Sequence, residues 1–131
     1  MINEILVIAS IFCRDYGVVN CSKVIRLIPE GQCLPILSDP KHPNGRAAHG
    51  YYSPKNDVIS LNQDHISNIN KWELMELVYH EMAHAYFDIS HNNKVSIMNP
   101  FNPNSDYWVH PDGSNWDYLK NELRLHIRLK P

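Results

Sequence analysis

The stretch HEMAHAYFDISHNNKVSIMNP, His80 to Pro100, places three histidines, a glutamate and an isolated methionine in twenty-one residues. How it folds decides what the rest of the chain must build. From Lys71 to about Ile89 the spacing is helical, with Leu74, Leu77, Val78 and Ala85 on an apolar face. Asn70, followed three residues later by Glu73, forms the signature of a capping box at the helix start. On such a helix His80 and His84 lie one turn apart and project from the same face, so their imidazoles can converge on one metal ion. Glu81 points beside that face, which leaves its carboxylate free for acid–base work.

Zinc held by neutral histidines lowers the pKa of a water towards 7, and a neighbouring glutamate can take its proton as it attacks a carbonyl. The same proton can then pass to a leaving amine. With eight histidines in the chain, a chance H-E-x-x-H arises in roughly one to three sequences per hundred of like composition. The motif therefore needs a third ligand and an open position before it describes a catalytic metal. Asp88 continues the four-residue row, but a straight helix puts it about 12 Å from His80 along the axis, too far to share an ion. His91 serves only if the chain breaks after His84 and doubles back. No Gly or Pro stands between the two, although Ser90, Asn92 and Asn93 accept turn conformations. His110 and Glu122 would each require a long-range approach.

HEMAHAYFDISH followed by SIMNP resembles the metzincin group of zinc metallopeptidases, in which a third histidine follows a chain break and a methionine-containing turn comes after it. It is most similar to small, poorly characterised bacterial metallopeptidases with H-E-x-x-H-x-x-x-x-x-x-H and S-I-M. The resemblance implies that His80, His84 and His91 hold one Zn2+ per chain, that Glu81 is the general base and then acid, and that Met98 is the Met-turn residue. Upstream, AAHGYYSPKNDVISLN is similar to the stretch in which an edge strand precedes an inner strand and the active-site helix. That likeness makes Ala47, Ala48, His49, Gly50 and Tyr51 the substrate-binding edge, pairing with an extended peptide. Two departures stand out: Phe87 occupies the place of the usual glycine at the helix break, and Pro100 replaces the tyrosine that follows some Met-turns.

Around this centre the chain divides simply. Ile2, Ile5, Leu6, Ala9, Phe12 and Cys13 recur at three and four residues and predict a helix stopped near Gly17. KVIRLI, Lys23 to Ile28, alternates as a strand. Pro29, Pro35, Pro40, Pro43 and Gly45 mark a turn-rich passage in which no long element persists. RAAHGYY and DVISLN read as two strands joined through Pro54. Asn92 to Gly113 reads as loop, and WDYLKNELRLHIRLK as a helix with Leu119, Leu123 and Ile127 on one side.

A chain of 131 residues, 44% hydrophobic and 20% charged, fits one domain spanning residues 1–131. A net charge of −2 gives no reason to expect nucleic acid, and the basic row Lys120, Arg124 and Arg128 reads as a solvated helix face. Cys13, Cys21 and Cys33 are odd in number without a C-x-x-C pair, which predicts free thiols in a reducing compartment. No apolar run approaches the roughly 18 to 20 residues that span a bilayer, and Ile5 to Phe12 lacks the flanks of a signal peptide. The expected location is cytoplasmic, with export by another route left open. His42, His49, His65 and His126 read as surface or locally bonded groups, and Trp72, Trp108 and Trp116 as core or pocket wall.

The expected fold is α+β and zincin-like: a small twisted mixed sheet with an active-site helix, a Met-turn and a C-terminal helix. The expected activity is zinc-dependent hydrolysis of a peptide or protein substrate. Its rival is an inactive zinc-containing scaffold acting as a binding or regulatory module, which a fourth protein ligand such as His110 would signal.

Overall fold

The computed structural model describes residues 1–29, 34–39, 42–100, 113 and 115–130. Helix α1, Ile2–Tyr16, buries Ile5, Ile8, Ala9, Phe12 and Cys13, the 3–4 stripe that its sequence predicts. It stops where the sequence indicates: Gly17 adopts φ +71° and its neighbourhood closes back onto the Cys13 carbonyl, to which Val18 N–H donates at 2.8 Å. That left-handed cap reverses the chain and brings Cys21 beside the last turn of α1. Cys13 and Cys21 are joined in a disulfide, with Cα atoms 6.1 Å apart. The expectation of free thiols is thereby corrected for this pair, and the thiol argument for a reducing compartment goes with it; Cys33 lies outside the described residues.

The sheet is mixed. Strand β1, Val24–Ile28, runs parallel to β5, Val58–Asn62, and β4, Gly50–Ser53, runs antiparallel to β5, giving the order β1-β5-β4. β5 is central, and Ile59 to Asn62 are all buried. The β4–β5 turn closes with Asp57 N–H donating to the Ser53 carbonyl at 2.7 Å.

Between β1 and β4 the turn-rich passage does contain pairing that its prolines conceal. β2, Ile36–Asp39, and β3, His42–Ala47, form a separate antiparallel pair with an irregularity between Leu37 and Asp39. Pro43 is tolerated because both strands of a two-stranded sheet are edges. RAAHGYY, read as one strand, is therefore two: Arg46 and Ala47 pair with β2, whereas Gly50 to Ser53 pair with β5. The chain changes sheets at Ala48, which donates to the Pro35 carbonyl, and His49, whose carbonyl accepts from Asn62.

Asn62 caps the short helix α2, Gln63–Ile66. Helix α3, Lys71–Phe87, opens with the expected capping box between Asn70 and Glu73. It packs against α1 through Phe12, which meets Tyr79 edge-on at 5.1 Å, while Tyr79 Oη donates to Asp15 at 2.7 Å. Helix α4, Trp116–Leu129, buries Trp116, Leu119 and Leu123. Of its basic row, Lys120 lies near Asp15 and Asp117, and Arg124 donates to Asn121 and to the Asp15 carbonyl. Among the described residues no helix is long and apolar enough to cross a membrane. The fold is a small mixed α+β domain.

Candidate metal centre

α3 carries His80 and Glu81, both buried, and His84 one turn further on. His80 Nδ1 lies 2.6 Å from the Ile97 carbonyl oxygen, and His84 Nδ1 lies 2.7 Å from that of Ile89. A carbonyl can only accept, so Nδ1 is the protonated nitrogen of each ring and Nε2 presents a lone pair. The two Nε2 atoms are 3.1 Å apart, and His91 Nε2 lies 3.1 Å from that of His80 and 3.0 Å from that of His84. The His80 and His84 Nε2 atoms therefore face each other lone pair to lone pair and repel unless a cation sits beside both. A tetrahedral zinc with nitrogens at about 2.0–2.1 Å places its ligand atoms roughly 3.3 Å apart, close to the spacing seen. Among the described residues this is the one group of three or more side chains that could hold a metal ion.

Burial, reinforced by the neighbouring imidazoles, lowers the His80 pKa to about 3, although the Ile97 carbonyl acts in the opposite direction. His84 is lowered by burial and then by His91, and His91 by burial. All three are therefore held neutral, the form that binds metal.

The helix break that returns His91 needs no glycine. α3 ends at Phe87, and Asp88 takes φ +53°, ψ +41°, a left-handed conformation that short polar side chains tolerate better than others. Asp88 N–H donates to the His84 carbonyl at 3.2 Å and Ile89 N–H to that of Ala83 at 3.4 Å, so the reversed chain still satisfies carbonyls at the helix end. Ile89 is then buried, and its carbonyl faces His84. The Asp88 side chain is fully exposed, with Lys130 at 3.8 Å.

Glu81 sits beside the triangle, with Oε2 3.9 Å from His80 Nε2. Its Oε1 is buried without a hydrogen-bond partner among the described residues. Burial pushes its carboxyl up to about 8, and the Tyr52 backbone amide acts against that shift. A divalent cation at the three nitrogens would oppose it further by Coulomb attraction. Gly50 makes the close approach of sheet and helix possible: a Cβ there would fall 3.0 Å from Glu81 Oε2 and 3.1 Å from Cγ.

These residues line a cleft of about 700 Å³ between α3 and the strand region opposite. Of the sequence-predicted binding edge, Ala48, His49, Gly50 and Tyr51 line it; Ala47 is the last residue of β3. Since His49 and Asn62 form a hydrogen-bonded pair, alternation along the antiparallel ladder turns the peptide groups of Gly50 and Tyr52 outward, away from β5. Met98 is fully buried in the core. Glu122 is on α4 and is not one of the converging ligands. Tyr107, Trp108 and His110 lie outside the described residues.

Several contributors are invisible at the sequence level. The carbonyls of Ile89 and Ile97 carry no residue-type signal. His65, read as a surface or locally bonded group, stacks face to face at 3.3 Å on His49 of the expected binding edge, on the cleft wall. Burial, with Arg46 nearby, lowers the His65 pKa to about 4. Comparison with known proteins gives no match: no family model, no curated protein and no solved structure is significantly similar to the chain.

Proposed function

We propose that the protein is a zinc metallopeptidase with a metzincin-like site and a peptide or protein substrate. The observation that carries the reading is the triangle of His80, His84 and His91 nitrogens at 3.0–3.1 Å, with Glu81 beside it in an open cleft. Three neutral imidazoles suit several first-row metals, and a three-histidine site with room for a further ligand is a common catalytic zinc arrangement. Zinc bound there supplies Lewis acidity, which acidifies a water and polarises a carbonyl.

The chain's own residues do the rest. Glu81 takes the proton of the attacking water and returns it to the leaving amine. Its buried carboxylate, 3.9 Å from His80 Nε2, is near enough to serve both steps through small movements. Gly50 leaves space for that carboxylate against β4. With the Tyr52 amide engaged by Glu81, the outward Gly50 amide and the outward carbonyls of Gly50 and Tyr52 offer a donor and acceptors to an extended peptide, which would lie along β4 and present one carbonyl to the metal.

Glu81→Gln removes the base and no ligand. Zinc content should stay at one per chain while cleavage of a mixed peptide library falls by at least about 100-fold. Zinc retained with undiminished cleavage would overturn the mechanism. Absence of cleavage by the unsubstituted, zinc-loaded protein would favour a scaffold that binds without turnover.

A further inference from the structure

The segment after His91 is held by its own polar side chains, and the bonds converge on one peptide unit. Asn92 Oδ1 accepts from the Ser96 hydroxyl at 2.7 Å and from Lys94 N–H at 3.1 Å. Ser96 Oγ in turn accepts from Met98 N–H at 3.1 Å, and Asn92 N–H donates to the Met98 carbonyl at 3.2 Å. Asn99 closes the far side, donating from its backbone to the Ser96 carbonyl and from its side chain to the Lys94 carbonyl. Ile97 lies between the two pinned residues, Ser96 and Met98. All three are wholly buried, and it is the Ile97 carbonyl that stands 2.6 Å from His80 Nδ1.

We infer that Asn92 and Ser96 are positioning residues for the metal centre: their side-chain clip aims the Ile97 carbonyl and thereby fixes the orientation and tautomer of His80. The inference rests on the histidine triangle being a metal site. The physical reasoning is that a lone backbone carbonyl in a turn can rotate away, because nothing in a non-repetitive segment fixes its peptide plane. Here the plane between Ile97 and Met98 is held at its nitrogen end by Ser96 Oγ, which is itself held by Asn92. The clip thus reaches two ligands at once. Asn92 follows His91 directly in the chain, and Ile97 bonds His80, so one side-chain pair couples the helical ligand to the returning one. His84 has no part in it, since its Nδ1 partner is Ile89, before the clip begins. That independence supplies an internal control. Orienting partners of ligand histidines commonly govern metal affinity by about 10–100-fold.

The test compares the unsubstituted chain with Ser96→Ala, Asn92→Ala and Asn92→Asp, the last keeping the acceptor oxygen. Zinc affinity is measured by competition with a chelator, and the tautomers of His80 and His84 are read by ¹⁵N NMR in metal-free protein. Ser96→Ala and Asn92→Ala should bind zinc about 10–100-fold more weakly and lose the pure Nδ1–H tautomer at His80 while His84 keeps its own; Asn92→Asp should retain both properties. A clip that only supports folding would lower the melting temperature without moving His80 alone, and that result would overturn the inference. So would zinc affinity within about twofold of the unsubstituted chain. If the unsubstituted chain bound no zinc, the metal-site reading would fail by itself, whereas the His80 tautomer in metal-free protein would still decide the role of the clip.

Discussion

The histidine cluster joins two regions built by different physics. On α3, His80 and His84 are brought together by helical periodicity, so their convergence follows from four residues of spacing and a helix that starts at a capping box. From Asp88 to Asn99 there is no periodicity to rely on. His91 returns to the same point through a left-handed residue, a buried isoleucine on either side of the return, and a clip of short polar side chains. The contrast shows that a histidine on a loop can be placed as closely as one on a helix when backbone and short polar side chains pin the loop at several points.

Removing one ligand from each region is the strongest way to break this comparison. If the loop ligand is as well placed as the helical ones, His91→Ala should weaken zinc binding as much as His84→Ala, in both cases by more than the roughly 100-fold upper range of supporting partners. Titration against a chelator of known affinity measures it. A small effect at His91 alone would show that the loop does not hold its ligand at the metal.

The disulfide ties α1 to the segment that follows it and tests whether stability and metal binding separate. It closes a short loop between Cys13 and Cys21, which in a chain-entropy account contributes about 2–3 kcal/mol. Mild reductant should therefore lower the melting temperature by roughly 10 °C with little change in zinc affinity. A melting temperature unmoved by reductant would contradict the bond.

A finer probe is the left-handed residue at which the two regions meet. An L-residue in that conformation costs about 1–2 kcal/mol, least for Asp and Asn. Asp88→Val should destabilise by about that amount and weaken zinc binding, whereas Asp88→Gly should be neutral or slightly stabilising, because the exposed contact with Lys130 is screened by water. Chemical denaturation of both variants checks the ordering; equal stability of the valine variant would contradict a strained αL position.

The same contrast explains what the sequence could and could not disclose. α1, α3 and α4 were legible because their buried residues recur at three and four positions, and Gly17 and Asn70 carry recognisable end signals. The His80, Glu81, His84 geometry followed from the same periodicity. The β2–β3 pair was hidden because Pro35, Pro40 and Pro43 read as breakers, although Pro43 sits within an edge strand that accommodates it. The split of RAAHGYY between two sheets depends on tertiary partners that no local pattern records. Three cysteines pointed to free thiols because pairing depends on a chain reversal at Gly17 rather than on cysteine spacing. The helix break was illegible for a related reason: Asp88 is an uncommon but permitted left-handed residue, and only the bonds beyond it show that the chain takes that path.

The central claim is that three histidines from these two regions share one zinc ion that keeps a position open to water. X-ray absorption at the zinc edge, on protein purified without chelator, tests it directly. The account predicts one zinc per chain with three nitrogen ligands at about 2.0–2.1 Å and a single further oxygen. Absence of stoichiometric zinc, or a fourth imidazole closing the shell, would contradict it.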